Sequence, residues 1–159
     1  AKKAGIALAH KAIKNKDKVG LIVFGQEILD VVAPTLDFPL LLKKIVTVKA
    51  TKQTDIAKTI HKAIEMFKKD DKTKHLLLIS DALPTTSIGS KEDPKKKTLD
   101  AAAIAANQGI TISLVGINLD KRGKELGEKL VDMGKGKLYV VKDLENVDRL
   151  ILQDYYGVA

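Results

Sequence analysis

Two residues of this chain place oxygen where a cation could be held. Thr54 stands just before a strongly amphipathic stretch, and Asp81 follows the apolar run His75-Leu76-Leu77-Leu78-Ile79-Ser80. Hard cations such as Mg²⁺ take oxygen ligands, one or two carboxylates with hydroxyls and waters completing an octahedron. A threonine hydroxyl and an aspartate carboxylate suit that chemistry. Each also has a plainer reading. A threonine ahead of a helix serves as an N-cap, and an aspartate shortly before a proline, here Pro84, serves as a turn residue bonding its own backbone.

Other chemistries find less support. With no cysteine, disulfides, zinc-thiolate sites and a thiol nucleophile are excluded together. His10, His61 and His75 each stand alone in their segments, so no spacing announces a histidine metal cluster. No GxGxxG follows a strand pattern. At Gly123-Lys124 the first P-loop glycine is replaced by Asn118, and the magnesium-holding Ser or Thr by Glu125. A phospho-receiver reading of Asp81 lacks the acidic pair that would hold Mg²⁺ beside it, and no glycine-flanked serine follows a strand as a nucleophile elbow. No base, nucleophile or complete cofactor motif can be assembled, so the chain reads as a non-enzyme.

A length of 159 residues suits a single domain spanning 1–159. No apolar stretch approaches the roughly 20 residues that cross a bilayer, and Ala1 to His10 lacks a signal peptide's apolar stretch and cleavage site. These features give the expectation of a soluble, cytoplasmic protein. The net charge of +8 comes almost wholly from lysine, with Arg122 and Arg149 the only arginines and aromatics at 4%. Sequence-specific DNA readers favour arginine forks and base-stacking binders need aromatics, so nucleic acid is disfavoured as a partner. Weak polyanion binding through lysine-rich surfaces stays open as an alternative. Abundant Lys and Glu with no Cys matches the surface chemistry of thermophile proteins.

The elements that would position Thr54 and Asp81 follow from periodicity. Helical patterns alternate with short β-branched runs to the end of the chain, which implies a layered α/β domain. Ala1 to Asn15 reads as a helix, and Val19 to Phe24 and Ile28 to Ala33 as an antiparallel hairpin across Gly25-Gln26. Pro34 to Pro39 breaks the pattern before a short helix, Leu40 to Val46. Ile56, Ile60, Ala63, Ile64 and Phe67 then mark the clearest helix. The unbroken apolar run before Ser80 predicts burial on both faces, as in a central parallel strand. Asp93-Pro94 starts a helix with a small-residue face that ends at Gly109. Ile110 to Val115 is another buried strand, and Leu126, Leu130 and Met133 mark a further helix. Gly134 to Lys137 reads as a turn and Leu138 to Val141 as a last strand, with Asp143 capping a final helix through Tyr155. Lys91 to Lys97 reads as a solvated loop and first turn. In such a sheet Thr54 and Asp81 both fall at the carboxyl edge, where open α/β folds place their ligands.

The ordered set of segments resembles a von Willebrand factor A-type domain, notably those of magnesium-chelatase D-type subunits and prokaryotic relatives. Asp17 to Gly25 is similar to the family's second strand, and Thr54-Asp55-Ile56 with its helix to the metal-binding threonine loop. Leu76 to Thr85 is similar to the metal-binding aspartate strand, while Gly109 to Ile117 and Leu138 to Val141 match the last two strands. The resemblance covers essentially the whole chain. It implies a three-layer fold: a mostly parallel central sheet with one antiparallel edge strand, Ile28 to Ala33, and helices on both faces. It implies a MIDAS-like site in which Mg²⁺, or Mn²⁺, is held by Thr54 and Asp81, with Lys52, Gln53, Asp55, Ser80 and Ala82 on its rim. The implied function is protein binding through an acidic group of a partner, commonly within larger, ATPase-associated assemblies.

The sequence also departs from the pattern. The family's Asp-x-Ser-x-Ser stands before the helix that here begins near Ala1, so the chain reads as starting before or within that first helix, without the motif. Lys52 and Gln53 occupy positions usually held by glycine, and Ala82 replaces the glycine after the aspartate. A degenerate, metal-free structural domain is therefore a further alternative. In the family the first strand lies between the strands corresponding to Val19–Phe24 and His75–Ser80, so a slot is expected there. Unsatisfied buried backbone groups cost about 1–3 kcal/mol each, so residues upstream of Ala1, another segment or another chain are expected to fill it.

Overall fold

The computed structural model describes residues 2–48, 54–69, 71–80, 93–141 and 156. Along the chain run α1 (Lys2–Lys14), β1 (Val19–Phe24), β2 (Ile28–Thr35), α2 (Phe38–Val46), α3 (Ile56–Met66) and β3 (Lys74–Ser80). They are followed by α4 (Pro94–Asn107), β4 (Ile110–Ile117), α5 (Lys121–Gly134) and β5 (Lys135–Val141). β1 and β2 form the expected antiparallel pair, and β3, β4 and β5 a parallel ladder in that order.

Alternation sorts the parallel strands onto two faces. Leu76, Leu78, Ile110, Ile112 and Leu114 pack with Ile56, Ala57 and Ile60 of α3, the alanines of α4, and Leu130 and Val131 of α5. Leu77, Ile79, Val115 and Ile117 point the other way and meet Leu8 of α1. The next turn of α1 reaches the hairpin, where Ala9 and Ile13 pack with Val32, Leu41, Val19 and Leu21. Phe24 of β1 packs against the α3 cluster, so α1 on one face and α3 on the other both touch the hairpin and the parallel ladder. The three layers are those expected.

The position of β3 differs from the expectation. Its apolar run is covered on both faces, yet its only ladder among the described residues is with β4, and β4 is the strand paired on both sides. An unbroken apolar run reports burial above and below a strand and is silent about its edges. β1 and β3, the two strands expected to flank a slot, form no ladder with one another among the described residues. Both remain largely half-buried although apolar, while β4 is buried along nearly all its length.

Three boundaries also move. β2 runs through Pro34 to Thr35 instead of stopping at Ala33, and Val19 pairs with Thr35. A strand with one ladder neighbour can lose an N–H donor on its outer side without breaking a ladder bond. α2 starts at Phe38, because the Asp37 carboxylate accepts the Leu40 amide at 3.1 Å and Pro39 fits the first helical turn. The turn expected from Gly134 to Lys137 is absent as a separate element. Lys135 caps α5 in the left-handed region at φ 58°, donating its amide to Asp132 and Val131 carbonyls, and β5 begins at once. Gly136 allows this, since a Cβ there would collide with the Ile112 carbonyl oxygen. The final helix expected from Asp143 lies outside the described residues, Tyr156 apart.

Candidate metal and partner-binding rim

The carboxyl edge of the sheet is assembled from the end of β1, the start of α3 and the end of β3. The Asp55 amide donates to the Gly25 carbonyl at 2.8 Å, fastening the start of α3 to the turn that follows β1. Ile56 and Ala57 share a core cluster with Leu78, which puts Thr54 and Ser80 on the same rim. Thr54, Asp55 and Ser80 are all buried, at 6%, 5% and 8% exposure, although all three are polar and stand at element ends.

The helix cap belongs to Asp55. Its Oδ1 accepts the Lys58 amide at 2.9 Å, and its carbonyl accepts the Thr59 hydroxyl at 2.9 Å. Thr54, for which capping was the plainer reading, is therefore not the N-cap of α3. Asp55, expected on the rim, spends one carboxylate oxygen on the fold. Lys58 also reaches Glu27 in an ion pair at 2.6 Å across to the hairpin turn. Lys52, Gln53, Asp81 and Ala82 lie outside the described residues, so of the expected pair only Thr54 is placed.

The residues present bear on a cation in two ways. Two buried hydroxyl side chains, Thr54 and Ser80, are hard-oxygen donors of the kind Mg²⁺ accepts. Among the described residues no group of three or more His, Cys, Asp or Glu is gathered for a metal. The histidines are spread apart: His10 meets Phe38 edge-on at 5.3 Å, His75 Nε2 lies 3.4 Å from Ser113 Oγ, and His61 is exposed on α3.

One feature of the rim was missed from sequence. Asp120 caps α5, its Oδ1 accepting the Gly123 amide at 2.7 Å. An acidic residue three positions before a glycine is the available signal. Its consequence is chemical, since an amide that a phosphate loop would offer to its ligand is already engaged by the chain's own carboxylate.

The comparisons with known proteins agree with this architecture. The profile of the von Willebrand factor type A domain matches residues 1–83, and the chain belongs to that family. Among solved structures, the VWA domain of SpRpn10 superimposes with a TM-score of 0.74 at 13% identity, over 96% of this chain and 80% of that one. The vWF domain of the type V pili tip protein Mfa5 from Porphyromonas gingivalis does so with a TM-score of 0.77 at 12% identity, over 100% of this chain and 88% of that one. No curated protein matches in sequence. Domains of this family commonly mediate protein interactions. The magnesium-chelatase-like subtype is not distinguished by these matches. No helix among the described residues is long and apolar enough to cross a membrane.

Proposed function

We propose that this chain is a non-enzymatic protein-interaction module whose rim holds Mg²⁺ or Mn²⁺ through the Thr54 hydroxyl and the Asp81 carboxylate. The cation supplies a coordination position that an acidic side chain of a partner protein fills. The observation that carries the reading is the buried Thr54 at the start of α3, with the capping duty taken by Asp55. Ser80, buried at the end of β3, adds a second hydroxyl beside the chain position of Asp81. Lys52, Gln53 and Ala82 border the same site in sequence. A cytoplasmic location and membership of an ATPase-containing assembly belong to this proposal, the latter on the resemblance alone.

Calorimetric titration of Mg²⁺ into the chain tests the reading. A saturable heat that disappears in both Thr54→Val and Asp81→Asn is expected, with the fold retained by circular dichroism. No saturable heat with the unaltered chain, or heat indifferent to both substitutions, leaves the metal-free structural domain as the better description.

A further inference from the structure

The first turns of α4 and α5 carry charge of the wrong sign for helix stability. A helix N-terminus bears partial positive charge and favours acidic side chains, whereas a C-terminus favours lysine. At the opposite edge of the sheet the lysines obey this rule: Lys14 and Lys16 close α1, and Lys68 and Lys69 follow the end of α3. α4 opens instead on Pro94-Lys95-Lys96-Lys97 and α5 on Lys121-Arg122-Gly123-Lys124, with no acidic residue in either first turn.

Both helices open on the rim that holds Thr54 and Ser80. α5 follows β4 by a short connection and so begins at its carboxyl end. α4 returns to the start of β4 through Gln108 and Gly109 and packs along that strand, so its first turn lies toward the same end. The helices pack side by side in the order α3, α4, α5. One amide at each N-terminus is capped from within, Lys95 by the Asp93 carboxylate and Gly123 by the Asp120 carboxylate. Of the six first-turn cations, Lys96, Lys121, Arg122 and Lys124 are exposed, and Lys95 and Lys97 are half-buried. Among the described residues none of the six makes an ion pair, in contrast to Lys58 of α3, which is held by Glu27. Counting the two capping aspartates against the six cations leaves four positive charges on this stretch of rim.

We propose that Lys95, Lys96, Lys97, Lys121, Arg122 and Lys124 form a cationic collar that receives an acidic segment of the partner polypeptide. This deepens the interaction-module reading but stands apart from its cation, because the collar attracts carboxylates whether or not Thr54 and Asp81 hold a metal. An acidic polypeptide fits better than nucleic acid. The collar holds a single arginine, and neither first turn carries an aromatic ring on which a base could stack.

The test measures binding of fluorescent poly-L-glutamate at low salt with EDTA present. The comparison is between a rim variant, with all six residues changed to Gln, and a control variant with Lys14, Lys16, Lys18, Lys68, Lys69 and Lys72 changed to Gln. The two lose the same charge at opposite edges. At least a tenfold weaker affinity in the rim variant, and less than threefold in the control, is expected. Equal losses in the two variants, no binding by the unaltered chain, or tighter binding of a duplex DNA at matched salt would overturn the proposal. Thermal melts of both variants check folding. Three-residue variants, Lys95→Gln/Lys96→Gln/Lys97→Gln and Lys121→Gln/Arg122→Gln/Lys124→Gln, serve if the six-fold change does not fold, and each is expected to lose at least threefold.

Discussion

At the start of α3 a single aspartate joins three parts of the chain: its amide to Gly25, its carboxylate to the Lys58 amide and its carbonyl to Thr59. Removing the carboxylate from a buried cap costs about 1–2 kcal/mol. Asp55→Ala is therefore expected to lower the unfolding free energy by that much, read from urea denaturation, while Asp55→Asn, which caps nearly as well, retains most of the stability. Equal losses in the two would mean that charge, and not the cap, is what the position supplies. Elsewhere the exposed Asp30 carboxylate is held below the usual range by its hydrogen bond to Lys44. A depressed carboxylate adds stability above its unfolded pKa and loses it as pH falls through the folded value. Lys44→Met should thus shrink the loss of stability below about pH 4, read from melts at several pH values. Thr54 was legible in the sequence as an oxygen donor before a helix, but its neighbour's role was not. Either residue could have capped α3, and only the path of the chain into the helix decides between them.

At the scale of elements, strand and helix types followed the apolar pattern, since the buried Ile56, Ile60 and Ala63 of α3 recur at helical spacing while β1 and β4 are short, nearly unbroken apolar runs. The failures fall where a backbone angle, and not a pattern, decides. The α5–β5 junction has no turn of its own because Lys135 adopts φ 58° and Gly136 passes against Ile112. A lysine there pays for a conformation that glycine adopts freely. Lys135→Gly is expected to stabilise the chain by about 0.5–1 kcal/mol, and Gly136→Ala to destabilise it by about 2 kcal/mol or more through backbone displacement. Chemical denaturation of the pair checks both signs, and a neutral Gly136→Ala would show that β5 has room to shift.

Across the whole molecule, helices α1 and α3 hold the hairpin and the parallel ladder from opposite faces, while β1 and β3 share no ladder among the described residues. Hydrogen exchange reads that arrangement directly. Amides of β4, bonded on both sides, are expected to be the slowest, and those of β3 that point away from β4 to exchange at least tenfold faster. Uniform protection across both edges of β3 would instead mark a strand paired on each side. The apolar run of β3 did not reveal that it has a ladder on one side alone among the described residues, because apolar content measures coverage of faces. The central claim concerns the rim those sheets share, and paramagnetic Mn²⁺ tests it most directly. With substoichiometric Mn²⁺ in the isotope-labelled chain, selective broadening of the Thr54, Asp55 and Ser80 amides is expected, reversed by excess Mg²⁺ and abolished by Asp81→Asn. Broadening spread over the surface carboxylates, or none at the rim, would contradict a cation site at Thr54 and Asp81.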